Sequence, residues 1–417
     1  MRFLYSILIQ CFSLIIRVTS LFSKKAQLAC AGRKNIFAVL EEKCAGKNNI
    51  IWFHCASLGE FEQGRPLMEK IRQSEENITL LVTFFSPSGF EVKKDDKIAE
   101  IITYLPMDTP KNAKKFIQIV KPQKVFFVKY EFWYNYIYEL SKAEIPFYYV
   151  SAIFRKNQHF FKIYGSWFLK QLKKCSFFFI QNEDSKKLLN QHGISNSLIT
   201  GDTRFDRVYT IAQQYYTLDF VSSFKQEKKL LVAGSTWLPD EKLLSDLFQK
   251  IYTEYKLVIA PHLVEKNRID QIKKTFSSFS TVCFSEKENG NISNAQILII
   301  DTIGILSKVY KYADVAYIGG AFKTGLHNIL EAAVFEKPIF FGPHFQKFNE
   351  AVELVQRGAA FPITQAAEME QKITDFQTDP DYYQSICNIC KTYVAQNLGA
   401  TDKILKTMNN EQLTMNN

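Results

Sequence analysis

The stretch HCASLGEFEQGRPLMEKIR (54–72) sets Gly59 and Glu60 between an apolar run, Ile50-Ile51-Trp52-Phe53, and a segment in which Leu67, Met68 and Ile71 recur at helical spacing. This reading puts Glu60 in the loop at the carboxyl end of a strand, where open α/β sheets bind ligands, and a carboxylate there can take a proton from an attacking hydroxyl. Glu60 or Glu62 would equally favour the positive end of the helix macrodipole, with no chemistry at all. A second signal lies in GGAFKTGLHNILEAA (319–333). Gly319, Gly320 and Gly325 allow close backbone approach to a ligand. His327 and Asn328 open a helix whose free amides suit a phosphate, and Glu331 stands one turn in, able to accept hydrogen bonds from a ribose. The two signals together fit a nucleotide-activated donor held by the second half of the chain and an acceptor activated by the first.

Positioning these residues requires two sheets. Strand-like runs at 50–54, 80–85, 101–106, 124–130, 147–152 and 177–182 alternate with helical patterns such as Lys111–Val120, Tyr134–Lys142 and Asp184–His192. A second series follows at 229–235, 256–262, 280–285, 295–301, 314–320 and 337–343, and the apolar pattern weakens between Val208 and Lys228. Such alternation predicts an α/β protein of two Rossmann-like doubly wound domains facing each other across a ligand cleft. At 417 residues and 47% apolar composition the chain is long enough for two cores.

The formal charge of +10 suits nucleic acid, an anionic lipid surface or a phosphorylated substrate. Its basic residues are dispersed rather than gathered into a stripe with interleaved aromatics, which argues against nucleic acid. The eight cysteines are scattered, as in a reducing compartment, and the lone Cys387-Asn388-Ile389-Cys390 is weak evidence for metal or redox work. His262, His327 and His344 lack acidic partners at ligand spacing, so phosphate or nucleotide contact is favoured over zinc. The aromatics of FFFIQN (177–182) and KIYGSWF (162–168) read as core and sheet packing. Phe3–Phe22 is apolar nearly throughout, interrupted by Gln10 and Arg17 and followed by Lys24, Lys25, Arg33 and Lys34, with no small-residue cleavage pattern. It reads as a membrane-associated helix, spanning or interfacial, whose positive flanks keep the following domain on the cytoplasmic side; a buried first helix is the alternative.

The chain resembles the 3-deoxy-D-manno-octulosonic acid (Kdo) transferases. The resemblance is carried in order by HCASLGE (54–60), KYEFWYN (129–135), GDTRFD (201–206), AGSTWLPDE (233–241), DTIGILSKVYKYADVAYIGG (301–320), HNILEAA (327–333) and FGPHFQKFNEA (341–351). It implies the GT-B architecture and an inverting, metal-independent transfer of Kdo from CMP-Kdo to a lipid A precursor at the cytoplasmic face of the bacterial inner membrane, with no cofactor. It implies Glu60 as catalytic base and Glu131 as a further essential carboxylate. It also implies that CMP is held by Pro261-His262, Ile303-Gly304-Ile305 and Asn328-Ile329-Leu330-Glu331, with Ser57, Gly59, Arg204, Ser235, Thr236 and His327 as further donor or acceptor contacts. The expected organisation is an anchor over 1–24, an acceptor domain over 25–212, a CMP-sugar domain over 213–395 and a tail over 396–417. Two positions depart from the family. His262 stands where an arginine fork is usual, and Ile305 where a carboxylate is usual. Another GT-B transferase or an epimerase using a UDP-sugar, or a non-catalytic nucleotide-sugar-binding membrane protein, are the alternatives. One phosphate leaves with CMP, so charge neutralisation by a divalent ion is not demanded, and the only Asp-x-Asp, Asp379-Pro380-Asp381, lies far along the chain from the donor turn.

Overall fold

Ile50–Cys55 is buried at all six positions, because β1 is covered on both faces. Alternate residues serve opposite cores: Trp52 packs with Phe116, Phe127 and Tyr136 on one side, Phe53 with Phe126 on the other. In this computed structural model, which describes residues 1–287, 292–323 and 325–415, the strands of the first unit are β1, β2 (Thr79–Phe84), β3 (Ile101–Tyr104), β4 (Lys124–Val128), β5 (Phe147–Ala152), β6 (Phe177–Ile180) and β7 (Ser197–Ile199). They form a parallel sheet in the order β3-β2-β1-β4-β5-β6-β7. The second unit holds β8 (Lys229–Thr236), β9 (Tyr255–Pro261), β10 (Thr281–Cys283), β11 (Ile297–Ile299), β12 (Val315–Ile318), β13 (Ile339–Phe341) and β14 (Ala360–Pro362), in the order β10-β11-β9-β8-β12-β13-β14. The strand order reverses at β1/β4 in one sheet and at β8/β12 in the other. Crevices at such switch points are where doubly wound sheets bind ligands.

The units are Met1–Arg207 with Leu398–Asn417, and Val208–Asn397. Of the residues set apart as a tail, those from Leu398 on group with the first unit, and Gln396 and Asn397 with the second. Ala400–Met415 is a helix whose Ile404 and Met408 enter the same core as Phe53 and Leu67. Asp206 holds the start of this segment, accepting from the Gly399 and Thr401 amides at 2.7 Å each and from the Thr401 hydroxyl at 2.6 Å. Residues 416–417 of the expected tail lie outside the described residues, as does Thr324 in the glycine turn.

Three helices precede β1: α1 (Arg2–Thr19), α2 (Lys24–Ala31) and α3 (Ile36–Cys44). α1 turns Arg2, Tyr5, Ser6, Ile9, Ser13 and Ile16 inward at helical spacing and leaves Phe3, Leu4, Ile7, Leu8, Leu14, Ile15 and Val18 exposed. The inward stripe is docked at its start, where Arg2 binds Asn135 at 2.9 Å and Glu139 at 3.0 Å and the Tyr5 hydroxyl donates to Asp108 at 2.6 Å; farther along, Phe12, itself exposed, stacks on Phe85. Neither a fully buried helix nor an undocked one describes it.

Candidate functional site

After β1 the chain turns directly into α4 (Leu58–Ser74), with Ser57 as its N-cap. Glu60 therefore lies in the first helical turn rather than in the preceding loop. The Ser57 hydroxyl donates to Glu60 Oε2 at 2.6 Å, so the residue that begins the helix also fixes the carboxylate. Burial pushes the Glu60 carboxyl above the ordinary range and the Glu131 charge adds to this, against the opposing pull of Ser57 and Lys129. Gly59 lies in the same turn, with open space where a Cβ would stand apart from Ser57 Oγ at 3.9 Å.

Glu131 follows β4, across the switch point from Glu60. Its carboxylate is buried and is held by a chain of side chains from β1 and β2. Trp52 Nε1 donates to Thr83 Oγ1 at 2.7 Å, Thr83 Oγ1 lies 2.8 Å from His54 Nδ1, and His54 Nε2 lies 3.0 Å from Glu131 Oε2. His54 Nδ1 also lies 3.1 Å from the Thr83 carbonyl, and the Trp133 indole N–H reaches His54 Nε2 at 3.0 Å, so both ring nitrogens are engaged. Trp133 Nε1 donates to Glu131 Oε2 at 2.7 Å. His54, Thr83 and Trp133 are functional-site residues that reasoning from sequence passed over. Their signal was a histidine inside an otherwise apolar strand. Lys129, between β4 and Glu131, adopts φ +68°, a left-handed conformation that is strained for a side-chain-bearing residue and typical of functional corners.

Arg204, expected among the ligand contacts, is bound within the protein: its Nε lies 2.8 Å from Asp202 Oδ2 and its backbone amide 2.9 Å from Oδ1. Gln63 of α4 donates to Asp202 at 2.7 Å. Although burial raises the Asp202 carboxyl, the Arg204 charge and hydrogen bonds bring it below the usual range.

In the second unit, Ser235 and Thr236 end β8 and Gly319-Gly320 follow β12. Ser235 has φ +55°, the counterpart of Lys129 at the other switch point. A Cβ on Gly319 would stand 2.4 Å from the Ser235 carbonyl, so this close passage of two backbones needs glycine. Asp240 fixes the turn by accepting from the Trp237 amide at 2.8 Å, the Gly320 amide at 3.1 Å and the Tyr317 hydroxyl at 2.8 Å. Thr236 donates to buried Glu241 at 2.8 Å, and Arg268 pairs with the same carboxylate. Asp240 and Glu241 were legible as part of a motif, not as the supports of the turn.

His262 takes its place in a ring stack, 4.8 Å from Trp237 and 4.5 Å from His327 between centroids. Burial lowers the His262 imidazole, and burial together with His262 brings His327 to about 4, so both rings are uncharged at neutral pH. His344 is not part of this stack; its amide donates to the Ala321 carbonyl, and among the described residues no three His, Cys, Asp or Glu side chains gather at metal-binding spacing. The helix expected to open at His327 and Asn328 is a single turn, Leu330–Ala333. Ile329 and Leu330 point their side chains into the core, leaving only backbone for a ligand, while Asn328 Nδ2 donates to Glu331 at 3.2 Å. Pro261 ends β9, and Ile303-Gly304-Ile305 forms an open turn after β11, with Gly304 at φ +100° and Ile303 exposed. Cys387 and Cys390 are buried on one helix, and Asp379 caps that helix by accepting from Tyr382 N at 2.8 Å.

Residues 31–207 match the family described as 3-Deoxy-D-manno-octulosonic-acid transferase (kdotransferase). The 3-deoxy-D-manno-octulosonic acid transferase of Aquifex aeolicus is 26% identical over 340 residues, which are 80% of this chain and 87% of that one. The chain is similar to the Kdo transferases over most of its length. A bifunctional glycosyltransferase/methyltransferase of Fusobacterium nucleatum is also 26% identical, over 383 residues that cover 88% of this chain; the chain spans 58% of that relative's length. Among solved structures, the UDP-GlcNAc 2-epimerase of Neisseria meningitidis bound to UDP-GlcNAc has a TM-score of 0.60 at 16% identity, covering 87% of this chain and all of that one. At that identity the match establishes the fold alone, the GT-B pair of parallel-sheet domains.

Proposed function

We propose that this protein transfers Kdo from CMP-Kdo to a lipid A precursor, with Glu60 as the base. The observation that carries this is the Glu60 carboxyl itself: oriented by Ser57, raised by burial and by Glu131, and set at the switch point of the first sheet. A base with a raised pKa is matched to accepting the acceptor hydroxyl's proton as that oxygen attacks the anomeric carbon of Kdo. The bond to the CMP phosphate breaks on the opposite face, so configuration inverts. The negative charge that develops on CMP falls to the second unit, where the residues implied to bind it are Pro261-His262, Ile303-Gly304-Ile305 and Asn328-Ile329-Leu330-Glu331, with Ser235, Thr236 and His327 beside them. With His262 and His327 uncharged, the stack offers ring faces and hydrogen bonds rather than a cation.

The place of action in this reading is the cytoplasmic face of a bacterial inner membrane. α1 supports an interfacial attachment over a span, because Arg2 and Tyr5 of its inward stripe are bound to the domain and Phe12 stacks on Phe85 while the opposite apolar face is open. Incubation with CMP-Kdo and a tetraacyl lipid A precursor, read by mass spectrometry, yields a Kdo-bearing lipid if this reading holds. Folded protein that binds CMP and makes no such product excludes it and leaves the non-catalytic alternative. Binding of UDP in preference to CMP would point to the UDP-sugar alternative.

A further inference from the structure

The segment KIYGSWF, read from sequence as core packing, divides in the structure. Phe168 is buried and Trp167 half-buried, but Ile163 is 98% exposed and Tyr164 66% exposed. Isolated surface hydrophobics are ordinary; a fully displayed isoleucine beside an exposed tyrosine on a braced turn is not. The brace is specific. The Gly165 amide closes the turn on the Lys162 carbonyl at 2.8 Å, and a Cβ at Gly165 would stand 1.9 Å from the His159 carbonyl, so only glycine lets the chain pass. Phe160 on one side and Phe168 on the other are sunk in the core. The two apolar side chains are thus held outward by a rigid base.

We propose that the turn Lys162–Gly165 is a second membrane-insertion point, placing Ile163 and Tyr164 among the headgroups of an anionic bilayer beside α1. This rests on the reading of α1 as an interfacial helix. Two observations choose a lipid surface as occupant. The first is continuity: Trp167 and Phe168 each meet Tyr5 of α1 at 6.1 Å between ring centroids, so the turn adjoins the end of α1 that exposes Phe3, Leu4 and Leu8. The second is charge: residues 155–174 contain six Lys and Arg (Arg155, Lys156, Lys162, Lys170, Lys173, Lys174) and no Asp or Glu. Apolar tips within a segment rich in cations and free of acids suit anionic lipid, where each basic side chain near the surface adds attraction and a tyrosine is at home at headgroup depth. Two contact points fix the orientation of the first unit on the surface, which one helix alone leaves free to roll.

The test uses the full chain and phosphatidylcholine vesicles with and without phosphatidylglycerol, read by co-sedimentation. Wild type binds the anionic vesicles more tightly. Ile163→Asp/Tyr164→Asp, at positions exposed enough to leave the fold intact, weakens that binding roughly ten-fold or more, while Tyr164→Phe retains it; unchanged thermal midpoints confirm folding. Leu4→Asp/Leu8→Asp reports α1 separately. If the α1 variant loses binding and the turn variant binds like wild type, the insertion of the turn is refuted and α1 stands. If wild type does not bind either vesicle, the interfacial reading falls and the turn with it.

Discussion

Glu60 and its neighbours set a pH dependence whose sign can be worked out. As the proposed base, Glu60 acts when ionised, and burial and the Glu131 charge both raise its folded pKa, so the acid limb of kcat/KM is expected above the ordinary glutamate value of about 4.3. Replacing Glu131 by Gln removes one cause of that rise; the limb, followed on residual activity, moves to lower pH. Lys129→Met removes a group that lowers it, and the limb moves up. Equal limbs in both variants would dissociate the three groups. In the proposed function His54 acts through Glu131, as a positioning residue. His54→Phe leaves the buried Glu131 oxygen with Trp133 as its remaining partner from this chain of donors, and should lower kcat by about ten-fold or more with little change in the KM for the donor, which belongs to the other unit. His54→Gln, whose amide can still donate, should restore part of the loss. A His54→Phe enzyme with wild-type kcat would reduce the chain from Trp52 to Glu131 to packing.

The elements that carry the chemistry were those most legible in the sequence. Continuous apolar runs such as Ile50–Phe53 and Lys124–Val128 announce strands covered on both faces, and their carboxyl ends therefore announce the crevice. β7 and β14 escaped because edge strands of three residues, Ser197–Ile199 and Ala360–Pro362, need little apolar length and expose part of it. The phosphate-binding helix was expected from glycines and a helical-looking HNILEAAV; the backbone instead spends those residues on a loop and one turn, with Ile329 and Leu330 drawn inward by the core. The last helix was unreadable for another reason, since its partners are more than a hundred residues away in sequence. Its tie is testable. Asp206→Ala removes three hydrogen bonds at the start of Ala400–Met415 and should destabilise the first unit by about 1–3 kcal/mol, seen as a lower denaturation midpoint and faster amide exchange over 401–408. Unchanged exchange there would mean that Ile404 and Met408 suffice to hold the helix.

Across the whole molecule one plan is used twice: a parallel seven-stranded sheet whose order reverses beside its first strand, with a strained non-glycine corner, Lys129 or Ser235, at the reversal. The alternation of strands and helices made that plan readable, and the ordered motifs made the family readable. What the sequence withheld was the support: which acid holds Gly320, what orients Glu131, and that Arg204 is already engaged by Asp202. These depend on contacts between residues distant in the chain, which no local pattern reports. The most direct test of the account is Glu60→Gln, assayed for Kdo transfer beside calorimetric CMP binding. The account predicts a rate lower by on the order of 10²–10⁴ with CMP affinity unchanged, since the base is lost and the second unit is untouched. Turnover equal to wild type with the same CMP affinity would contradict it.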